Sequence, residues 1–119
     1  MFFLRQQRPQ GMTPAEAVEQ AGTGAVTVID VREHGEVASS GKAKGAIHIP
    51  LMRLRDMADP RHPDFVEALK DAGPICVYCA SGARSHSASQ LLQQLGYDEV
   101  HNIGGLGHWV QAGGEIERG

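Results

Sequence analysis

Ile75-Cys76-Val77-Tyr78-Cys79-Ala80-Ser81-Gly82-Ala83-Arg84-Ser85 decides how this chain folds. Its first four residues are apolar or aromatic and uncharged, as in a short strand buried on both faces. From Arg84 through Leu95 the period changes. Ala88, Leu91, Leu92 and Leu95 line one helical face, Ser85, Ser87, Ser89 and Gln93 fall mostly on the other, and Gly96 is a C-terminal stop. A strand thus runs through a small-residue loop into the clearest helix of the chain. Cys79 stands at the join. That is the C-terminal edge of a parallel sheet, where α/β proteins bind ligands.

Outward from this unit, strands and helices alternate. Thr13-Pro14-Ala15-Glu16 reads as a helix start, with Thr13 as N-cap, Glu16 closing a capping box, and Gly22 as the stop. Val26-Thr27-Val28-Ile29 is a buried strand ending at Asp30, followed by a helical turn over 33–38. Ala46-Ile47-His48-Ile49 is a strand closed by Pro50, and a short helix begins at Leu51 and ends by Pro60. Phe65, Ala68, Leu69 and Ala72 predict a helix over 63–72, stopped by Gly73-Pro74. A last strand over 99–103 leads through Gly104-Gly105 into a short helix around Trp109, a core residue. The alternation predicts an α/β fold with a parallel sheet covered by helices on both faces.

Composition bounds the function. The 119 residues carry 11 Lys+Arg and 14 Asp+Glu, for a net charge of −3. One domain over 1–119 fits this length, with 1–10 as a loosely ordered extension. The acidic balance argues against nucleic acid as a partner. No run of about 18 apolar residues crosses a membrane. Met1-Phe2-Phe3-Leu4 precedes Arg5 and Arg8, the reverse of a secretory signal, so a cytoplasmic protein is expected. Glycine stands out at 15 residues of 119, against an average of about 7%.

Cys76 and Cys79 form a C-x-x-C, the spacing of a redox pair. In an extended strand three residues cover roughly 10 Å, whereas a disulfide needs its Cα atoms within about 7 Å. Cys76 therefore reads as a core thiol. No second Cys pair or close His pair completes a zinc site, and no metal or other cofactor is expected. Cys79 differs. The small residues Ala80, Ser81, Gly82 and Ala83 allow their N–H groups to curl around one atom, the following helix adds its positive end, and Arg84 adds a cation. All three favour the thiolate, so Cys79 is expected to be a nucleophile of lowered pKa. The alternative is a plain buried cysteine before a strand-to-helix turn.

Four segments together resemble the single-domain rhodaneses, over essentially the whole chain. Val28-Ile29-Asp30-Val31-Arg32-Glu33 resembles the family's D-V-R-E strand end, and Gly45-Ala46-Ile47-His48-Ile49-Pro50 its G-A-x-x-I-P. Cys79 through Ser85 resembles C-x-S-G-x-R-S, and Gly104-Gly105-Leu106 with Trp109 resembles G-G-x-x-x-W. The resemblance implies a roughly five-stranded parallel sheet and a sulfurtransferase of the thiosulfate:cyanide type, with Cys79 carrying sulfur as a persulfide. It implies a small sulfur donor, a thiol or cyanide acceptor, and supporting roles for Asp30 and Arg32. A plain surface ion pair, worth about 0–1 kcal/mol, is the alternative for those two.

Loop length bears on the chemistry. Cys79 to Arg84 spans six residues, C-x4-R, whereas cysteine phosphatases use C-x5-R to admit a tetrahedral phosphate. Sulfur transfer is thus favoured over phosphate hydrolysis, and a relay from a persulfide-carrying protein is the nearer alternative. Ser81 reads either as a hydrogen-bond donor in the loop or as a helix cap. A thiol that ionises readily needs no general base from His86. His34, His48, His62, His101 and His108 show no metal spacing. Two departures stand out. Ala80 replaces an arginine common in relatives, leaving Arg84, beside the equally small Ala83, as the loop's cation, so weak binding of thiosulfate is expected. Lys44 stands where relatives often have proline.

Overall fold

The computed structural model describes residues 11–118, so the expected N-terminal extension over 1–10 lies outside the described residues. Apolar, largely β-branched runs form the strands. β1 (Thr27–Asp30), β3 (Ile47–His48), β4 (Ile75–Cys79) and β5 (Val100–Gly105) make one parallel sheet, ordered β3-β1-β4-β5. The sheet has four strands among the described residues, not five. β2 (Lys42–Ala43) and β6 (Ile116–Glu117) instead pair antiparallel in a separate ribbon. Lys44 extends that ribbon, its N–H donating to the Glu115 carbonyl at 2.9 Å. Proline has no N–H and could not make this bond.

Side chains alternate across β4, and this sorts the two cysteines. Ile75, Val77 and Cys79 pack on one face with Leu54, Leu69, Ala88 and Leu92; Cys76 and Tyr78 pack on the other with Met12, Ala17, Ile103 and Trp109. The first face is covered by α3 (Leu51–Met57) and α4 (Ala83–Gln94), the second by α1 (Pro14–Gly22) and α5 (Leu106–Gln111). α2 (His34–Ser40) follows β1 at the sheet's C-terminal edge. Thr13 and Glu16 make the expected capping box, the Thr13 N–H donating to Glu16 Oε1 at 2.9 Å and the Glu16 N–H to Thr13 Oγ1 at 3.1 Å. Each fully buried Leu or Ile in these layers contributes about 1.5–3 kcal/mol.

The helix expected over 63–72 does not form. Only a 3-10 turn over Glu67–Leu69 is present. The Val66 N–H donates to the Met57 carbonyl at 2.8 Å, so the segment is drawn across the end of α3 in an extended conformation. Tight turns then carry it to Pro74, with Leu69 N–H donating to Val66 O and Ala72 N–H to Leu69 O. Of the patterned residues Leu69 is fully buried, Phe65 and Ala72 pack partly against the same core and Ala68 is exposed, so the apolar residues still face inward although one tertiary hydrogen bond outcompetes a weak local helix.

Candidate active site

β4 ends at Cys79, and α4 begins four residues later. Between them the chain must reverse around the sulfur. Gly82, the N-cap of α4, has φ of +114°, a left-handed conformation that favours glycine, and it caps without a side chain. Of the two readings of Ser81, the helix cap is therefore excluded. The Ser81 N–H turns toward the sulfur instead. Cys79 Sγ accepts from the Gly82 N–H at 3.0 Å, and from the Ser85 N–H and Ser85 Oγ, both at 3.4 Å. Burial alone, with Cys79 only 1% exposed, raises the thiol's pKa. The Ser85 hydroxyl and the N–H groups of Ser85, Gly82 and Ser81 outweigh it and hold the thiol down to about 7. At neutral pH about half the sulfur is then thiolate. No histidine is among its hydrogen-bond partners, and His86 is exposed on α4.

Ser85, at the end of the loop motif but given no role from the sequence, and Asn102 complete the cradle. Ser85 Oγ also lies 2.7 Å from Asn102 Oδ1. A hydroxyl carries one hydrogen, so Ser85 can donate to Asn102 while Cys79 is neutral and to Sγ when it ionises. Asn102 Nδ2 donates to the Gly82 carbonyl at 3.0 Å, and Asn102 Oδ1 accepts from the Gly104 N–H at 3.0 Å, which ties the loop to β5. Asn102 reaches the loop through a register shift, since Val77 pairs with Asn102 but Cys79 pairs with Gly105. β5 therefore carries one extra residue beside the site. At Gly105 a Cβ would stand 2.1 Å from the Ala80 carbonyl oxygen, so the loop packs directly on bare backbone. Ser85 belongs to the loop motif itself, whereas its partner Asn102 lies on another strand, where no local pattern points to it.

Asp30 and Arg32 are not a surface pair. Asp30 is 0% and Arg32 3% exposed. Asp30 Oδ2 accepts from Arg32 Nη2 at 2.8 Å and from the Tyr78 hydroxyl at 2.6 Å. Arg32 also donates through Nη1 to Ser40 Oγ at 2.9 Å and through Nη2 to the Gly41 carbonyl, so the pair anchors the C-terminal end of α2. From α2, Glu36 reaches the loop. Arg84 Nη1 and Nη2 donate to its two carboxylate oxygens at 2.7 and 2.8 Å. That hydrogen-bonded pair brings the Glu36 carboxyl down to about 2. Arg84, read from the sequence as the cation that greets a ligand, is bidentately bound to a carboxylate.

Cys76 lies on the other face, its thiol pushed up to about 12 by burial and by the Glu99 carboxylate. Both cysteines are free, and opposite faces of one strand cannot be bridged. Among the described residues no three His, Cys, Asp or Glu side chains gather into a group that could hold a metal. No helix among them is long and apolar enough to cross a membrane.

The fold and the loop together define a class of protein, and comparison with known proteins agrees. The model of the rhodanese-like domain matches residues 13–112, and the chain belongs to that family. It is 36% identical to the thiosulfate sulfurtransferase PspE of Escherichia coli, over 66% of this chain and 68% of PspE. It is 34% identical to a sulfurtransferase of Allochromatium vinosum, over 78% of this chain and 79% of the relative. Among solved structures, a protein of unknown function from Rhodopseudomonas palustris, described as a possible tyrosine phosphatase, superposes with a TM-score of 0.80 at 32% identity. That match covers 91% of this chain and 84% of the other.

Proposed function

We propose that the chain acts as a single rhodanese domain, a sulfurtransferase that moves a sulfane sulfur through a persulfide on Cys79. The donor is thiosulfate, a polysulfide or another persulfide, and the acceptor is cyanide or a thiol. The observation that carries this reading is the Cys79 sulfur ringed by N–H groups in a six-residue loop. With thiosulfate, the Cys79 thiolate attacks the outer sulfur, the S–S bond breaks, and sulfite leaves with the electron pair. Cyanide then attacks the outer sulfur of the persulfide, and the Cys79 thiolate leaves as thiocyanate forms. Two easier steps replace one, which predicts ping-pong kinetics. The loop N–H groups favour negative charge on sulfur in each step. Two free cysteines suit a reducing, cytoplasmic setting.

A relay that takes sulfur from a partner protein's persulfide uses the same thiolate. Phosphate hydrolysis is less well supported, because the loop is six residues long and its arginine is held by Glu36. Intact-mass measurement after incubation with thiosulfate, polysulfide or a persulfide tests the reading. A gain of about 32 Da is expected, absent from Cys79→Ser and kept by Cys76→Ser, whose buried thiol is inert. Absence of the adduct with every donor overturns it.

A further inference from the structure

We infer that this site takes its sulfur from a persulfide, R–S–SH, carrying at most one negative charge at the reacting end, and discriminates against the thiosulfate dianion. This rests on the sulfur-transfer reading above and narrows it to one donor class.

The argument is one of charge placement. A dianion approaching a thiolate is repelled unless a free cation stands at the mouth of the site. The loop offers none. Ala80, Ser81, Gly82 and Ala83 are uncharged, and Arg84 has both terminal nitrogens on the Glu36 carboxylate, 2.7 and 2.8 Å away. A bidentate arginine–carboxylate pair is neutral as a unit and geometrically satisfied, so neither partner turns readily to a ligand. Glu33, at the start of α2, adds a second carboxylate field at Arg84. Other arginines on segments leaving this sheet edge are also held: Arg32 by buried Asp30, and Arg53 by Asp64 at 2.8 Å. Arg55, further along α3, makes no hydrogen bond to the loop among the described residues. Among the described residues, the loop's own arginine is thus answered by a carboxylate and no other arginine is hydrogen-bonded to the loop, while the N–H ring is suited to one singly charged sulfur.

A persulfide meets those terms. The Cys79 thiolate attacks the terminal sulfur of R–S–SH, the S–S bond of the donor breaks, and R–S⁻ leaves with the electron pair. Cys79–S–SH remains, with the proton still on the transferred sulfur. No oxidant, reductant or cation is required.

The test is single-turnover loading of Cys79, followed by intact mass, with thiosulfate, cysteine persulfide and a persulfidated protein thiol as three separate donors. Loading by thiosulfate is expected to be slower than by the faster persulfide by about 100-fold, and to speed up with added salt as repulsion is screened. The faster persulfide arm identifies the source. Glu36→Gln, which loosens Arg84, should raise the thiosulfate-to-persulfide rate ratio by about tenfold. Ala80→Arg, which adds an unpaired cation at an exposed loop position, should raise the same ratio and reverse the salt dependence. Taking a ratio cancels general damage to the loop. Wild-type thiosulfate loading within about threefold of the persulfide rate, or a ratio unmoved in both variants, overturns the inference. Failure of all three donors to load Cys79 overturns the sulfur-transfer reading itself.

Discussion

At Cys79 the opposing effects are large and the outcome turns on hydrogen bonds. Burial favours the neutral thiol; the Ser85 hydroxyl and three N–H groups reverse that preference and bring it from 9.0 to about 7. The sign sets the pH dependence. A depressed thiol pKa means full reactivity above it and loss as the pH falls through it. Alkylation of Cys79 by iodoacetamide, followed against pH, should therefore inflect near 7 and not near 9. Ser85→Ala removes the strongest of the stabilising donors but keeps the N–H groups, so the inflection should move upward without returning to the ordinary value. If it rose by about one unit, the thiolate fraction at pH 7 would drop from about half to about a tenth. An inflection that stays put in Ser85→Ala assigns the whole effect to the backbone.

Among elements, the meeting of β4, the loop and β5 is the critical packing. Helix α4 can start close to the sulfur because the Ala80 carbonyl rests on Gly105 and the Gly82 carbonyl is held by Asn102. Gly105→Ala would place a methyl group 2.1 Å from that carbonyl oxygen, so the loop must lift. Overpacking of this kind costs about 1–3 kcal/mol. A lower urea midpoint together with a higher Cys79 pKa is the expected outcome. A stable variant with an unchanged alkylation profile would show that the loop does not need this contact. Gly105 itself has φ of −116°, so the effect is steric and not conformational.

In the molecule as a whole, the buried Asp30–Arg32 pair connects the sheet to the rim of the candidate site. It ties the end of β1 to Tyr78, to the end of α2 and, through Glu36 on α2, to Arg84. Removing one partner leaves a buried charge without its counter-ion. Asp30→Ala should destabilise the fold by about 3–5 kcal/mol, far more than a surface pair would. Urea unfolding with an unchanged slope is the check; a loss under about 1 kcal/mol would mean that water reaches Arg32.

Local chemistry was enough for much of this protein. The uncharged run Ile75–Tyr78, the amphipathic period of 84–95 and the small residues between them specify strand, loop and helix with no reference to the rest of the chain. Cys79 was legible as the thiol that the loop N–H groups surround for the same reason, since a loop following a strand and opening a helix points its N–H groups inward. The separation of Cys76 from Cys79 was equally legible, from the rise of a strand. What tertiary structure decided involves partners far apart in sequence. Ser85 and Asn102 are 17 residues apart, and Arg84 and Glu36 are 48 apart. No periodicity relates such residues, because their meeting depends on strand order, on one extra residue in β5 and on the placement of α2. The helix expected over 63–72 gave way for a related reason, its Val66 N–H being taken by Met57. Composition made Arg84 the loop's cation; only the folded chain, by setting Glu36 against it, decided that this charge is already answered.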